Sequence, residues 1–149
     1  AACRSADDVR VQLGALASPP PAGRIERAQP WIDACFGADD VESIVARLAD
    51  TADEAAQATL AAMQKMSPTS LKVTLRNVRD AAGFKRVEES FQQDYRISLA
   101  CLTGHDFTEG IRAQIVDKDR NPRWRPDTLE GVTAEIVDRR EDGETVRFA

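Results

Sequence analysis

One long apolar stripe constrains this chain more than any other feature. Phe84, Val87, Phe91, Tyr95, Ser98/Leu99 and Leu102 recur at helical intervals over several turns, and Gly104 supplies the break. A helix with one such face must lay it against a neighbour, because its opposite side is polar. No alternating period-2 run of useful length occurs anywhere, so the reading is all-α.

The rest of the chain repeats this logic in shorter pieces. Val9, Leu13 and Leu16 space a helix over residues 7–17, ended by Ser18 and the prolines Pro19, Pro20 and Pro21. Trp31, Ile32, Cys35 and Phe36 mark a helix over 28–36, with Pro30 near its start and Gly37 as its stop. Asp39 and Glu42 have capping-box spacing ahead of Val41, Ile44, Val45 and Leu48. Thr51 and Glu54 repeat that spacing before the Ala-rich segment through Met66, where Ala56, Leu60 and Met63 share a stripe. Ser67 caps a further start with Pro68 at the first helical position, Leu71, Leu75 and Val78 on one side, Lys72, Arg76 and Arg79 on another, and Gly83 as the end.

Asp106 and Glu109 open another capped helix, in which Phe107, Ile111 and Ile115 lie in line. DKDRNPRWRPDT is too charged and Pro-interrupted to continue it and reads as an ordered loop or extended tail. A short helix follows near 129–137, and EDGET offers a turn before a frayed terminus. The expectation is one domain of about seven short helices: 1–24 a helix and Pro-rich linker, 25–117 a helical core, 118–149 a basic tail and terminal helix. No tandem repeat or low-complexity tract appears.

Composition limits what such a bundle can bury. Of 149 residues 42% are hydrophobic, but the count leans on Ala and only 5% are aromatic, so part of the apolar surface needs a partner. The net charge of -5 argues against non-specific nucleic-acid binding. No apolar run of about 18 residues exists to span a membrane, and AACRSADDVR lacks the apolar core of a secretory signal. Cys3, Cys35 and Cys101 fit neither a disulfide framework nor a zinc site, and read as reduced thiols in a cytoplasmic compartment.

Candidate chemistry is sparse. The chain has 1 His, and Gly104 interrupts any helix that would align His105 with Cys101. His105, Asp106 and Glu109 lack matched ligands elsewhere, so capping by the two acids is preferred to a metal site. There is no GxSxG elbow, P-loop or dinucleotide fingerprint. What stands out is Lys118, Arg120, Arg123, Trp124 and Arg125, basic and aromatic within an acidic chain. Such a cluster can hold phosphates while Trp124 faces a purine, but spacing alone favours Trp124 filling a gap in the fold while the cations stay solvated.

SPTSLKVTLR (67–76), DYRISLAC (94–101), GHDFTEGIRA (104–113) and DKDRNPRW (117–124), in this order, resemble the C-terminal helical part of hydrolases of the 3-hydroxyisobutyryl-CoA type, within the enoyl-CoA hydratase/isomerase (crotonase) superfamily. The wider superfamily pattern falls on Asp106, Phe107, Glu109 and Gly110, then Lys118 and Arg120, then Pro122 and Trp124. Arg112, Ala113, Asp117 to Asp119 and the Pro-Arg-Trp run point to the hydrolase branch.

The resemblance implies an all-α C-terminal region of an α/β fold whose N-terminal, sheet-containing half is absent. It implies thioester cleavage of 3-hydroxyisobutyryl-CoA to 3-hydroxyisobutyrate and CoA in valine breakdown, with oxyanion hole and catalytic acid in that other half. No catalytic residue is therefore carried over, and the chain alone is expected to be inactive. Lys118, Arg120 and Trp124 are the implied coenzyme A contacts, and no cofactor is implied beyond the CoA of the substrate. The implied partners are the acyl-CoA, the N-terminal half and further copies of the chain. An enoyl-CoA hydratase/isomerase and a non-catalytic helical interaction module are the alternatives.

Overall fold

The computed structural model describes residues 5–18 and 21–138. The chain divides into two compact units, Ala1–Pro30 and Trp31–Ala149. In the first, helix α1 (Ala6–Leu16) is opened by Ser5, whose hydroxyl accepts the Asp8 N–H at 3.1 Å. None of its residues is buried, and Leu16 is 84% exposed. The helical spacing of Val9, Leu13 and Leu16 thus produces a helix without yet producing a core. The expected breakers Pro19 and Pro20, the thiol Cys3 and the EDGET turn lie outside the described residues.

Helix α2 (Arg24–Phe36) begins earlier than the expected 28–36, because the Glu26 carboxylate accepts the Gly23 N–H at 3.1 Å and satisfies the new terminus. Pro30 consequently lies inside the helix. Helix α3 (Val41–Ala49) is capped by Asp40, which accepts the Ser43 N–H at 2.6 Å, and not by Asp39. Adjacent aspartates offer the same chemistry, so spacing could not choose between them. Helix α4 (Glu54–Met63) is capped by Asp53, which accepts the N–H groups of Ala55 and Ala56 at 2.8 and 3.1 Å. Thr51, the expected cap, instead donates its hydroxyl back to the Arg47 carbonyl at 2.8 Å.

These helices close the first core cluster of Cys35, Ala38, Ile44, Leu48, Ala56 and Leu60, with Trp31, Val45, Met63 and Leu75 packed at its edge. Small residues at 38 and 56 let the backbones approach while Ile44 and Leu48 fill the space between them. Burial of each of those two side chains contributes roughly 1.5–3 kcal/mol.

Helix α5 (Pro68–Ala81) starts as expected, with the Ser67 hydroxyl accepting the Ser70 N–H at 3.1 Å and Pro68 at the first position. Its cations are structural. Lys72 Nζ lies 2.6 Å from Glu42 and donates to the Val132 carbonyl at 3.2 Å. Arg76 pairs with Asp80 at 2.8 Å. Arg79 donates to the carbonyls of Ala38 and Asp39, which follow the end of α2 and have no helical partner.

Helix α6 (Val87–Leu102) begins where the Glu89 carboxylate accepts the N–H groups of Lys85 and Arg86 at 2.7 and 3.1 Å. Helix α8 (Ala134–Asp138) starts later than the helix expected near 129–137 and ends one residue beyond it, and Val132 and Val137 join Val73 of α5 in a second cluster, with Ile97 and Ile136 against it. Among the described residues the structure holds eight α-helices, one π turn and no strand. None of these helices is long and apolar enough to cross a membrane.

The apolar stripe of α6 faces outward. α6 has no buried residue, and Val87, Phe91 and Leu102 are 64%, 57% and 55% exposed. A run of exposed apolar side chains on one helix marks a contact surface far more often than scattered single residues do.

Candidate functional site

The site is assembled on a short helix and the loop that leaves it. α7 (His105–Ile111) has Gly104 at its N-cap position and no side-chain cap. The expected cap, Asp106, is buried at 7% exposure and bonds elsewhere. Its Oδ2 accepts the Ser67 hydroxyl at 2.5 Å, and its Oδ1 accepts the Arg125 N–H at 2.8 Å and lies 3.2 Å from His105 Nδ1. A buried carboxylate takes the partners that satisfy it, and here those partners lie on α5 and on the tail. Asp106 thereby ties the start of α5 to residue 125.

Glu109 does the same one turn later. Its two oxygens take the Arg112 guanidinium as a fork, Nε at 2.9 Å and Nη2 at 2.7 Å, and Oε1 also accepts the Arg123 N–H at 2.7 Å. The Arg112 contact, followed by the Arg123 N–H, holds the Glu109 carboxyl at about 2, well below the usual carboxylate range. Arg112 Nη1 reaches Asp117 at 2.6 Å and Asp119 at 2.7 Å, and Nη2 donates to the Asn121 carbonyl at 3.2 Å. Every N–H of this guanidinium is used. Glu109 foremost, then Asp119 and Asp117, raises the Arg112 pKa above its ordinary value, and Arg112 in turn lowers that of Asp119.

Between these groups the helix widens into a π turn (Arg112–Val116), in which the Asp117 N–H reaches back to the Arg112 carbonyl at 2.8 Å. The loop beyond it carries two non-glycine residues with left-handed backbone, Lys118 at φ 57° and Arg120 at φ 54°. Side chains disfavour this region, and it persists where surrounding bonds over-determine it. Those bonds are the Arg112 clamp and the Arg120 N–H, which donates to the Ala113 carbonyl at 3.0 Å.

Trp124 lies in the same tail. Its Nε1–H donates to the Lys65 carbonyl at 3.1 Å, and its ring passes over Gly110, where an added Cβ would sit 3.5 Å from the indole. The indole is part-buried, with one edge anchored in the fold. Lys118, Arg120, Arg123 and Arg125 are exposed, and among the described residues their side chains make no ion pair or hydrogen bond. No cation–π contact joins Lys118 or Arg120 to the Trp124 ring. The structure therefore brings the three proposed contact residues onto one braced segment without packing them together.

Ser67, Asp106 and His105 are the residue types of a hydrolytic triad in the wrong order. A nucleophilic serine gives its proton to an imidazole that an acid orients. Here the buried Ser67 hydroxyl donates straight to the carboxylate, and the imidazole meets the far oxygen. Among the described residues no cluster of His, Cys, Asp and Glu is arranged to hold a metal ion. Reading the sequence missed the Arg112 clamp, although Arg112 three positions after Glu109 on a helix, with Asp-x-Asp following, was a usable signal.

Against known proteins, residues 3–140 match the family described as Enoyl-CoA hydratase/isomerase. The chain is 47% identical over 107 residues to the mitochondrial 3-hydroxyisobutyryl-CoA hydrolase of Gallus gallus, covering 72% of this chain and 28% of the relative. The Homo sapiens protein of the same name is 42% identical over 111 residues, 74% of this chain and 28% of the relative. A crystal structure of a carnitinyl-CoA dehydratase from Mycobacterium thermoresistibile superposes with TM-score 0.79 at 40% identity, covering 93% of this chain and 40% of that one. An enoyl-CoA hydratase from Rhodobacter sphaeroides 2.4.1 gives 0.76 at 35%, covering 91% and 42%.

The chain thus spans little more than a quarter of the length of these curated relatives, in agreement with an all-helical portion of a larger fold. The relatives' mitochondrial designation overturns the cytoplasmic expectation. That expectation rested on reduced thiols, and Cys35 does carry a free thiol, but a reduced cysteine cannot tell one reducing compartment from another. With the family match covering nearly all of its length, the chain belongs to the enoyl-CoA hydratase/isomerase family.

Proposed function

We propose that this chain is the C-terminal, coenzyme-A-facing part of a hydrolase that cleaves 3-hydroxyisobutyryl-CoA to 3-hydroxyisobutyrate and CoA in valine breakdown. The observation that carries this reading is the tail itself: free, exposed cations on a backbone pinned by Asp106 and Glu109, in a chain of net charge -5. Coenzyme A presents a pyrophosphate, a 3′-phosphate and a purine. Lys118 and Arg120 bind phosphate oxygens in this proposal, and the Trp124 face takes the adenine. The fixed backbone lowers the ordering cost of binding.

The apolar surfaces have a second role. A cleft lined by Met66, Cys101, Phe107, Ile111, Ile115 and Trp124 lies beside the tail and covers the acyl end of the ligand. The outward stripe of α6 seats on the sheet-containing half of the fold or on further copies, which is why it can remain apolar. The chain supplies no catalytic residue.

Calorimetry with coenzyme A tests the proposal. Saturable binding is expected, weakened about tenfold or more by Lys118→Ala with Arg120→Ala and again by Trp124→Ala; absence of heat refutes it. Incubated alone with 3-hydroxyisobutyryl-CoA and a thiol reagent, the chain should release no thiol. Turnover that a substitution within these residues abolishes would show the catalytic assignment to be wrong. The similarity to a carnitinyl-CoA dehydratase and an enoyl-CoA hydratase favours a second reading, an enoyl-CoA hydratase/isomerase, which yields a hydrated acyl-CoA and no free thiol.

A further inference from the structure

Arg112 touches none of the groups proposed to meet the ligand, yet its position determines what charge they present. The stretch from Glu109 to Arg125 holds three carboxylates, Glu109, Asp117 and Asp119, and all three point at one guanidinium at 2.6 to 2.9 Å. The free cations Lys118, Arg120, Arg123 and Arg125 share this stretch, Lys118 directly between Asp117 and Asp119 and the others after them. In an extended chain those acids and bases would neutralise one another, residue by residue. Folded, the acids converge on the Arg112 guanidinium, and among the described residues the basic side chains make no ion pair.

We infer that Arg112 is a positioning residue for a polyanionic ligand: it engages the three carboxylates that stand among the tail's bases and so leaves four cations without an ion pair on a loop of fixed shape. The inference rests on the proposal that the tail binds the phosphates of coenzyme A, and adds the group that makes the tail cationic.

Two physical effects act together. The fork geometry of Arg spans three acids and a backbone carbonyl that a point-charge ammonium could not span. The same clamp sustains the left-handed conformations of Lys118 and Arg120, because Asp117 and Asp119 flank Lys118 and bond Arg112 on either side of it. Removing Arg112 releases the carboxylates within a Debye length of the incoming phosphates, where they repel.

The test is titration calorimetry of the 149-residue chain with adenosine 3′,5′-bisphosphate at low and moderate salt. Arg112→Gln should bind about tenfold or more weakly at low salt, the deficit shrinking as salt screens the released acids. Adding Asp117→Asn and Asp119→Asn to Arg112→Gln removes the released charge and should raise affinity several-fold above Arg112→Gln alone, short of the parent by what the loop's lost shape costs. A purely architectural role would leave the triple variant as weak as the single one, and that result overturns the inference. Equal affinity of Arg112→Gln and the parent overturns it also. Where Arg112→Gln does not fold, Arg112→Lys with the same two additions runs the comparison. A parent chain that gives no heat with the bisphosphate refutes the coenzyme A proposal itself, a different failure from a parent that binds and a variant that binds equally.

Discussion

Replacing Asp106 by Ala tests the tie between α5 and the basic tail. The carboxylate accepts the Ser67 hydroxyl at 2.5 Å and the Arg125 N–H at 2.8 Å, and is 7% exposed. A hydrogen bond to a charged group contributes about 1.5–3 kcal/mol, and a buried donor left without acceptor costs a comparable amount. Water can reach the Arg125 amide on the exposed tail, which discounts that term, while Ser67 at 5% exposure has no such relief. The expected loss is about 3–5 kcal/mol. Urea denaturation followed by far-ultraviolet circular dichroism measures it.

Ser67→Ala removes the cap on the Ser70 N–H as well as the bond to Asp106, and should cost about 1–2 kcal/mol. Because the two residues share one bond, the double variant should fall short of the sum by about 1 kcal/mol or more. A loss under about 1 kcal/mol for Asp106→Ala, or strict additivity of the pair, refutes the view that this bond holds the tail.

Leu48→Ala, at 0% exposure in the first cluster, should lower stability by about 2–5 kcal/mol in the same assay. The Glu109 carboxyl, lowered from an ordinary value of 4.5 to about 2, should stay ionised through mild acid. The sign follows from a depressed folded pKa: its stabilising contribution is complete above about 4.5 and is lost as pH falls toward 2, seen as movement of the Arg123 amide resonance only in that window. Gly110→Ala should be tolerated or gain up to about 1 kcal/mol, since the new methyl meets Trp124 at ordinary contact distance and relieves the entropy cost of a helical glycine. Gly110→Leu should displace the indole, read as a red shift in fluorescence.

What could be read from the sequence was local. Ser67 with Pro68 at a helix start, the Gly104 break and the all-α content each depend on residues a few positions apart, and each stands as expected. Asp39 for Asp40 and Thr51 for Asp53 were errors among neighbours of like chemistry. Asp106 shows a deeper limit. A carboxylate in the first turn of a helix looks like a cap on local grounds, but a partner 39 positions away claimed it. Nothing in the spacing of either residue announces that pairing. The Arg112 network was nearer to legible, since the Glu109 pair is at helical spacing, but the turn that brings in Asp117 and Asp119 depends on a widened backbone that periodicity does not encode.

That widening has a consequence for how the loop could have been acquired. A π turn holds one more residue than the α turn it interrupts and turns the chain by less per residue, so the extra residue is absorbed locally and the segment beyond keeps nearly the phase of a helix one residue shorter. Straightening the turn into regular α-helix without shortening the chain would rotate residues 117–125 by about 100° about the axis and carry Asp117 and Asp119 away from the guanidinium. The aim of the basic segment is therefore set by the Arg112–Val116 turn, and a position inserted there and taken up in this way leaves everything after it pointing as before.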